Sequence, residues 1–371
     1  ANLPAVPGFA DTFLVEGKPP ALGSLLRQPR LAASLSALAA EGLETFYRGP
    51  LAARIAKDLA AAGSPLTATD LESYRAALVK PLTLRLDNAS VYNLPAPTQG
   101  LVSLVILGLF ARLGVREAES FEHIHGLVEA TKVAFGLRDS LLGDPAAVPE
   151  DLQGRLTAAV LDRAAAGIDR RKAAPLTAPG EPGDTVWMGA VDAAGRAVSF
   201  IQSIYWEFGS GLVLEDTGLL WQNRGASFQL NESPLRGLAP GRKPFHTLNP
   251  ALASFDDGGL LSYGAMGGEG QPQSQAAVFT RHAFFGQELQ SAVTAPRWLL
   301  GRTWGAESSS LKLESRFDPA LVAALRAAGH EVEVLSDFTS VMGHAGALLR
   351  RPDGVIEGAG DPRSDGHAVG F

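Results

Sequence analysis

The hydrophobic and polar residues of the 371-residue chain show two different periodicities, one in each half. In the first half, apolar residues recur at the three- and four-residue spacing that is typical of amphipathic helices. The predicted helices cover residues 28–62, with a break at 48–50, then 101–111, 121–142 and 153–168. The segment from Thr69 to Glu72 predicts a capping box, in which a Thr hydroxyl and a Glu carboxylate satisfy free amides at a helix start. Two short strands, at 82–86 and 91–94, are expected around an Asp87-Asn88 turn.

After residue 185 the hydrophobic periodicity changes to the two-residue alternation that is typical of half-buried strands. Strands predicted at 186–192 and 197–204 flank Ala193-Ala-Gly195, a turn of the hairpin type. Further strands are predicted at 211–214, 218–221, 260–265, 311–314, 331–335, 347–350 and 355–358, with helices at 273–291 and 319–328. Strands that are followed by helices predict a layered α/β arrangement, in which the sheet is buried between helices.

Thr185 stands where the two halves of the chain meet. It follows a Pro/Gly-rich connection at 173–184 and begins the first alternating strand. If the Asp184–Thr185 peptide bond is cut, Thr185 gains a free α-amine beside its own hydroxyl, and that amine can act as the base that activates the hydroxyl. A Thr at a strand start is also simply a good β-former. The chemical interpretation therefore depends on the residues downstream.

Composition narrows the classes of function. Hydrophobic residues make up 46% of the chain and the net charge is -7 without a basic block, so nucleic acid is not an expected partner. The chain has no cysteine, which excludes disulfides, thiolate nucleophiles and Cys-ligated metals. Its longest apolar run, 101–111, is too short to span a bilayer, and no membrane association is expected. No signal peptide is visible, and because the chain begins at Ala1 without Met, we expect its true start to be missing.

Cofactor and metal motifs give no positive signal. Phosphate loops, dinucleotide fingerprints, zinc motifs and serine-hydrolase elbows do not occur in the sequence, so no cofactor and no metal are expected. Glu122, His125 and Glu129 share one helical face by spacing, but metal binding needs more convergent ligands. A solvated or helix-packing face is the prediction for these three residues.

Nine short motifs occur in order along the chain. They are Phe46-Tyr-Arg-Gly49, Pro95-Ala-Pro-Thr-Gln-Gly100, Leu142-Gly-Asp-Pro145, Asp184-Thr185, Val191-Asp-Ala-Ala-Gly-Arg-Ala-Val198, Phe208-Gly-Ser-Gly211, Pro240-Gly-Arg-Lys-Pro244, Gly267-Gly268 and Gly360-Asp-Pro-Arg-Ser364. With these motifs the chain resembles the γ-glutamyltransferase family of N-terminal-nucleophile hydrolases. The family's first segment, about 150 residues or more and so about one domain's worth, is expected to be absent.

The resemblance implies an α/β fold, the four-layer αββα sandwich, made as a precursor that cuts itself before the nucleophile. Residues 1–184 would be the C-terminal part of the large subunit and residues 185–371 the small subunit, which together form one catalytic domain. Thr185 would be the nucleophile, and Ser203 would supply the second hydroxyl where the family usually has a Thr. Gly267 and Gly268 match the family's oxyanion-hole loop, where backbone amides can approach the oxyanion closely because no side chain intervenes.

The substrate-binding positions depart from those of a typical γ-glutamyl enzyme. Tyr205 stands where such enzymes have Asn, and Arg224 with Ser227 stand where acidic or amide groups hold the glutamyl ammonium. His246-Thr247 replaces a Ser-Ser pair that contacts the glutamyl carboxylate. A guanidinium without a facing carboxylate makes ammonium binding unfavourable and favours a carboxylate ligand. A salt bridge from Arg224 to a nearby Asp or Glu, and a satisfied core or rim role for His246, are the structural alternatives.

The segments 221–228, 243–250 and 267–273 look most like the oxamate amidohydrolase branch of the family. The expected reaction is hydrolysis of a small amide beside a carboxylate, through an acyl-enzyme on Thr185. A γ-glutamyl hydrolase or transpeptidase that acts on glutathione-like substrates, a β-lactam acylase and an uncleaved, non-catalytic scaffold are the alternatives. The expected partners are the small-molecule amide and the protein's own cleaved subunits, while homo-oligomer formation stays open. The branch favours a cytoplasmic location, with the periplasm as the alternative.

Overall fold

The computed structural model describes residues 2–148, 151–176, 184–301 and 308–371, and of Asp184 only the backbone. Packing divides the chain into two compact units. The smaller unit consists of residues 1–78 with 204–224, and the larger unit of residues 79–203 with 225–371. The predicted boundary before Thr185 is a cleavage boundary rather than a packing boundary, so it stays a prediction. Most of the predicted linker at 173–184 lies outside the described residues.

The smaller unit is built on helices. These are α1 (Phe9–Phe13), α2 (Pro29–Glu41), α3 (Thr45–Arg48), α4 (Pro50–Ala61) and α5 (Ala68–Ser73). The predicted helical stretch at 28–62 is confirmed with its break at 48–50, but the structure has a second break at 42–44, where Gly42 ends α2. Leu51, Ile55 and Leu59 recur at four-residue spacing on α4 and form the unit's apolar cluster with Leu71 and Leu214.

The capping box of α5 lies two residues earlier than predicted. The Thr67 hydroxyl accepts a hydrogen bond from the Asp70 amide, and the Asp70 carboxylate accepts one from the Thr67 amide at 2.7 Å. The prediction of a box at Thr69 and Glu72 was therefore wrong. With the helix starting at Ala68, Leu71 is buried in the apolar cluster, and this burial favours the observed start.

The prediction of two strands, at 211–214 and 218–221, was also wrong. Only a single antiparallel bridge joins Val213 to Leu220 in this region. Gly211 and Gly218 have φ values of 76° and 67°, and this left-handed backbone interrupts an extended strand on both sides of the bridge.

The larger unit contains the remaining helices and the strands, except for residues 204–205 at the end of one strand, which belong to the smaller unit. The strands are β1 (Leu82–Arg85), β2 (Ala89–Asn93), β3 (Asp184–Val191), β4 (Ala197–Tyr205), β5 (Ala251–Phe255), β6 (Leu260–Met266), β7 (Trp298–Leu300), β8 (Leu311–Glu314), β9 (Val332–Leu335), β10 (His344–Arg350) and β11 (Ile356–Gly360). The helices are α6 (Gly100–Leu113), α7 (Phe121–Leu141), α8 (Ala158–Ala166), α9 (Gln271–Phe279), α10 (Leu289–Thr294) and α11 (Pro319–Ala327). The tail strands predicted at 311–314, 331–335, 347–350 and 355–358 and the helix predicted at 319–328 are confirmed within a few residues.

Six strands form the central sheet, in the order β1-β2-β5-β6-β10-β11, and every neighbouring pair is antiparallel. A second, three-stranded sheet joins β7, β8 and β9. Helix α6 packs on β1 and β2, while α7, α8 and α9 pack on α6. Almost every residue of α6 is buried, as its continuous apolar sequence predicts.

The β3–β4 hairpin forms a separate two-stranded layer that packs on β6 and β10 of the central sheet. Trp187 lies on the inward face of β3, and its indole nitrogen donates to the Ser199 hydroxyl at 2.9 Å. The indole lies over Gly264 and Gly346, which are direct partners in the register of β6 and β10. A side chain at either glycine would overlap the ring, so the glycine pair is what allows the hairpin to approach the sheet.

The helix predicted at 273–291 is interrupted. Helix α9 begins two residues earlier, at Gln271, and passes into a π-helical turn at Thr280–Phe284 before α10 begins at Leu289. Gly286, with φ of 67°, lies between the helices and ends the first one. The helix predicted at 153–168 is likewise split into a 3₁₀ turn, Leu152–Leu156, and α8, because Thr157 is extended.

A buried ion cluster fixes the C-terminal strands. The Arg363 guanidinium binds Glu314 with two bonds of 2.6 Å and Asp361 with one of 2.9 Å. Arg297 binds the other oxygen of Asp361 at 2.9 Å.

No helix of the described residues is both long and apolar enough to cross a membrane.

We expect Gly264→Ala to lower the free energy of unfolding by about 1–3 kcal/mol, because the new methyl overlaps the Trp187 indole in a packed interior. Gly136→Ala is the matched control. Gly136 lies within α7 with open space beyond its Cα, so this exchange should be neutral or slightly stabilising. Urea unfolding of both variants measures the difference, and equal stability of the two would contradict the packing argument.

Candidate active site

Thr185 lies near the start of β3 and is half-buried, on the same inward face as Trp187. At the turn of the hairpin, the Asp192 amide donates to the Arg196 carbonyl at 3.0 Å. Thr185 lies seven residues before Asp192, and Ser203 lies seven residues after Arg196. The antiparallel register that starts from this pair therefore places Ser203 opposite Thr185. Ser203 is half-buried as well. Cross-strand partners are close enough for their hydroxyls to interact, as the family resemblance implies for these two residues.

Gln271, the first residue of α9, contacts the Thr185 hydroxyl. Its Nε2 donates to Thr185 Oγ1 at 3.4 Å, and the side chain is fully buried. The sequence did not single out Gln271, although it lies three residues after the Gly267-Gly268 pair. The contact brings the end of this glycine-containing loop to the hydroxyl of Thr185.

The loop after β6 adopts a backbone that only glycine tolerates well. Gly267 has φ of 138° and Gly268 has φ of 52°, and the Gly270 amide donates to the Gly267 carbonyl at 2.7 Å. Both glycines are buried. A tight turn of this kind exposes backbone amides without a covering side chain, which is what stabilisation of an oxyanion requires.

Gln99 anchors this loop to a second element. Its side-chain Nε2 donates to the Gly268 carbonyl at 2.8 Å and to the Thr247 carbonyl at 3.0 Å, and the residue is fully buried. Gln99 belongs to the Pro95–Gly100 motif, so its motif was visible in the sequence but its role was not. One carboxamide thus fixes the predicted oxyanion loop relative to a predicted substrate residue.

Arg138 on α7 holds the loop from the other side. Its Nη1 lies 2.7 Å from Glu269 Oε2, and both side chains are buried. Burial alone would lower the pKa of Arg138, but the carboxylates of Glu269 and Asp139 outweigh it, so that pKa lies above its usual value. The ion pair was not foreseen because its partners are 131 residues apart in sequence.

Three predicted substrate residues lie in the larger unit. Ser227 and Thr247 are buried and His246 is half-buried. The His246 amide donates to the Pro97 carbonyl at 3.0 Å, which sets residues 246–247 beside the loop of Gln99. Within the described part of the chain, Thr247 Oγ1 is buried without a hydrogen-bond partner. A buried hydroxyl without a partner is costly unless a ligand satisfies it, and this agrees with a substrate role for Thr247.

The other two predicted substrate residues, Tyr205 and Arg224, contact each other in the smaller unit. The Arg224 guanidinium carbon lies 3.7 Å from the centre of the Tyr205 ring. Tyr205 is buried and has φ of 85°, a strained backbone for a residue with a bulky side chain. Strain of this kind persists where the surroundings hold a side chain in one orientation, here the ring beneath the guanidinium.

One cluster of the described residues could hold a metal ion, and it differs from the set considered from the sequence. His125 and Glu129 are joined by His330, and their donor atoms lie within 4.8 Å of one another, whereas Glu122 is exposed. The Lys132 ammonium lies 2.7 Å from Glu129 Oε1 and already supplies a cation to the cluster.

Hydrogen bonds of this cluster fix the chain that leads toward residue 177. His125 Nε2 donates to the Asp169 carbonyl at 2.8 Å, so its Nδ1 accepts from His330 Nε2, also at 2.8 Å. The Ala174 amide donates to Glu129 Oε2 at 3.0 Å. The arrangement is a polar anchor for residues 169–174.

Burial, followed by the charge of Lys132, lowers the pKa of His330 from 6.5 to about 3. Because the unfolded chain binds this proton at higher pH than the folded chain, stability present above pH 6.5 is lost as the pH falls toward 3. The expected slope is about 1.4 kcal/mol per pH unit for this histidine. His330→Gln should flatten the pH dependence of urea unfolding between pH 7 and 4.5, whereas His367→Gln, at an exposed histidine, should leave it unchanged. Equal slopes for both variants would contradict the assignment.

Comparisons with known proteins agree with this geometry. The family model described as gamma-glutamyltranspeptidase matches residues 1–371. The chain is 56% identical to an oxamate amidohydrolase proenzyme of Klebsiella pneumoniae, over 98% of the chain and 69% of that protein. It is 40% identical to the glutathione hydrolase-like YwrD proenzyme of Bacillus subtilis, over 100% of the chain and 70% of that protein.

The structure superimposes on a solved cephalosporin acylase from Bacillus halodurans with a TM-score of 0.88 and 31% identity, covering 98% of the chain and 66% of that protein. This similarity confirms the predicted sandwich fold of the N-terminal-nucleophile hydrolases. The chain spans about two thirds of the length of all three relatives.

Proposed function

This chain belongs to the gamma-glutamyltranspeptidase family of N-terminal-nucleophile hydrolases, and we propose that it cuts itself before Thr185 and then hydrolyses a small amide that lies beside a carboxylate, such as oxamate. The observation that carries the proposal is the contact between the Thr185 hydroxyl and Gln271, which follows the glycine loop. The name of the 56% identical relative supports the same substrate class.

The proposed reaction is acyl transfer in two steps. The freed α-amine of Thr185 takes the hydroxyl proton as Oγ1 forms a bond to the amide carbon, and the carbonyl electron pair moves onto oxygen beside the amides of Gly267 and Gly268. The C–N bond then breaks, and the nitrogen leaves as ammonia with the proton from the amine. Water attacks the resulting ester and gives its proton to the same amine. The Thr185 oxygen leaves and regains a proton, and the carboxylic acid is released.

Charge supports an anionic substrate without an amino group. Arg224 offers planar donors that suit a carboxylate, and its stacking on Tyr205 holds the guanidinium in one plane. Ser227 offers no carboxylate for an ammonium group. We propose that Arg224, supported by the Tyr205 ring, selects the substrate carboxylate. His246 and Thr247, in the larger unit, stay predicted substrate residues.

A second candidate substrate class is favoured by one comparison. The 40% identical relative carries the name of a glutathione hydrolase-like proenzyme, so γ-glutamyl amides are the alternative. Ammonia release from oxamate, compared with hydrolysis of a γ-glutamyl anilide by the same processed protein, separates the two. The absence of both activities, together with an uncut chain, would instead favour a non-catalytic scaffold.

We further propose a cytoplasmic location.

Thr185→Ala should abolish both self-cleavage and turnover, because it removes the attacking oxygen and leaves no other group in its place. Cleavage is followed on denaturing gels and turnover by ammonia release from oxamate. Thr185→Ser, which keeps the hydroxyl, should retain measurable amounts of both. Normal cleavage of the Ala variant would contradict the assignment of Thr185.

Arg224→Leu should raise KM for oxamate about 10- to 100-fold, because loss of a charge-assisted hydrogen bond costs about 1.5–3 kcal/mol. Arg224→Lys should lose less, since it keeps the charge but not the planar donors. Arg196→Leu, at the exposed hairpin turn, is the control and should keep the wild-type KM. Steady-state kinetics on processed enzyme decide the matter, and an unchanged KM for the Arg224 variants would rule out carboxylate binding there.

A further inference from the structure

Helix α9 begins with three buried glutamines at alternate positions, and they differ in what they bind. Gln273 has both ends of its carboxamide paired with the backbone of Leu300, at 3.0 Å and 2.7 Å. Gln275 donates to the Asn249 carbonyl at 2.6 Å and accepts from the Ser103 hydroxyl at 2.9 Å. Both side chains are therefore satisfied by the fold itself.

Gln271 is different, although it is fully buried like the others. Its Nε2 donates to Thr185 Oγ1, and its Oε1 has no hydrogen-bond partner in the described parts of the chain. A buried carbonyl oxygen without a partner opposes folding, so the fold alone gives no reason to retain this carboxamide. Among the described residues, the one side-chain hydrogen bond of Gln271 goes to the oxygen that the proposed reaction converts from hydroxyl to ester.

We propose that Gln271 is a further catalytic residue, which donates a hydrogen bond to the nucleophile oxygen whenever that oxygen carries negative charge. This role rests on the proposed function, because it requires Thr185 to be the nucleophile. Charge develops on Oγ1 as its proton passes to the α-amine and the bond to the amide carbon forms. Charge returns to Oγ1 when water has attacked the ester and the C–Oγ1 bond breaks.

A fixed donor at this oxygen stabilises both transition states more than it stabilises the bound substrate, and such differential stabilisation raises kcat rather than lowering KM. The first turn of α9 fixes the donor, since Pro272 restricts the backbone directly after Gln271. In self-cleavage the same hydroxyl attacks the preceding carbonyl, so the same donor should accelerate maturation.

The test compares Gln271→Leu and Gln271→Glu with the wild type in the full-length gene product. Intact mass first gives the cleaved fraction, and kcat for ammonia release from oxamate is then expressed per cleaved chain. Leu removes the donor, and Glu keeps the shape but offers only acceptors when ionised. Both variants should lose about 10- to 100-fold in kcat, somewhat below the about 100- to 1,000-fold of a lost oxyanion donor, with KM within about threefold of the wild type.

Gln273→Leu is the matched control from the same helix. It should lower the melting temperature, because two backbone groups lose their partner, yet keep kcat per cleaved chain close to the wild type. A kcat for Gln271→Leu equal to that of Gln273→Leu would overturn the proposal, as would a change confined to KM.

The wild-type result separates this proposal from the proposed function. If the wild type hydrolyses a γ-glutamyl anilide instead of oxamate, the substrate assignment fails and the variants are compared on the anilide, with the same loss of kcat expected. If the wild type is neither cleaved nor active, Thr185 is not a nucleophile and the role of Gln271 is overturned with it.

Discussion

The packing of one tryptophan on a pair of glycines determines where the candidate active site can form. Trp187 lies over Gly264 and Gly346, which face each other on neighbouring central strands. Thr185 precedes this tryptophan by two residues on the same face of its strand, and the Gly267-Gly268 loop follows Gly264 by three residues. The contact therefore fixes the hydroxyl-bearing strand and the glycine loop relative to each other. Gln271 then joins the two across a single hydrogen bond.

The fold was predictable where one local signal was strong. The continuous apolar run of α6 and the alternation of the β3–β4 hairpin each indicate one structure, and both were located within two residues. The prediction was wrong where two registers or two structures were locally similar. Thr67 and Thr69 each have an acidic residue three positions on, and only the burial of Leu71 distinguishes the two. Strand β5 was not predicted, because its short sequence has no strong strand pattern of its own. It is stabilised as a strand by pairing with its two neighbours in the sheet.

The residues of the candidate site likewise fall into those that could be predicted from the sequence and those that could not. Thr185 and the glycine pair could be proposed from the sequence, because their motifs resemble those of a known family, although the local pattern of each is weak on its own. Their supporting residues could not, since each acts across a long separation in sequence. Gln99 reaches residues 247 and 268, and Arg138 reaches Glu269. Nothing in the local sequence of either residue indicates such a partner, and only the folded chain brings them together.

These supports also explain how a buried loop with unusual backbone angles is kept in place. Gln99 binds a carbonyl of the loop and Arg138 binds the carboxylate of Glu269, so the loop is held from two sides before any substrate is bound. Groups that are already oriented do not need to reorganise as charge develops, and this is the main way in which an enzyme stabilises an oxyanion. The anchored residues 169–174 add a further fixed point, before the chain reaches Thr185.

The proposed chemistry depends on the release of the Thr185 amine, and the intact mass of the full-length gene product after incubation tests this most directly. We expect two fragments whose masses sum to the precursor plus one water and which join at Asp184 and Thr185, with Thr185 as the first residue of the small fragment. A single uncut chain after prolonged incubation would contradict it, and every catalytic role assigned to Thr185 and its neighbours would then be withdrawn.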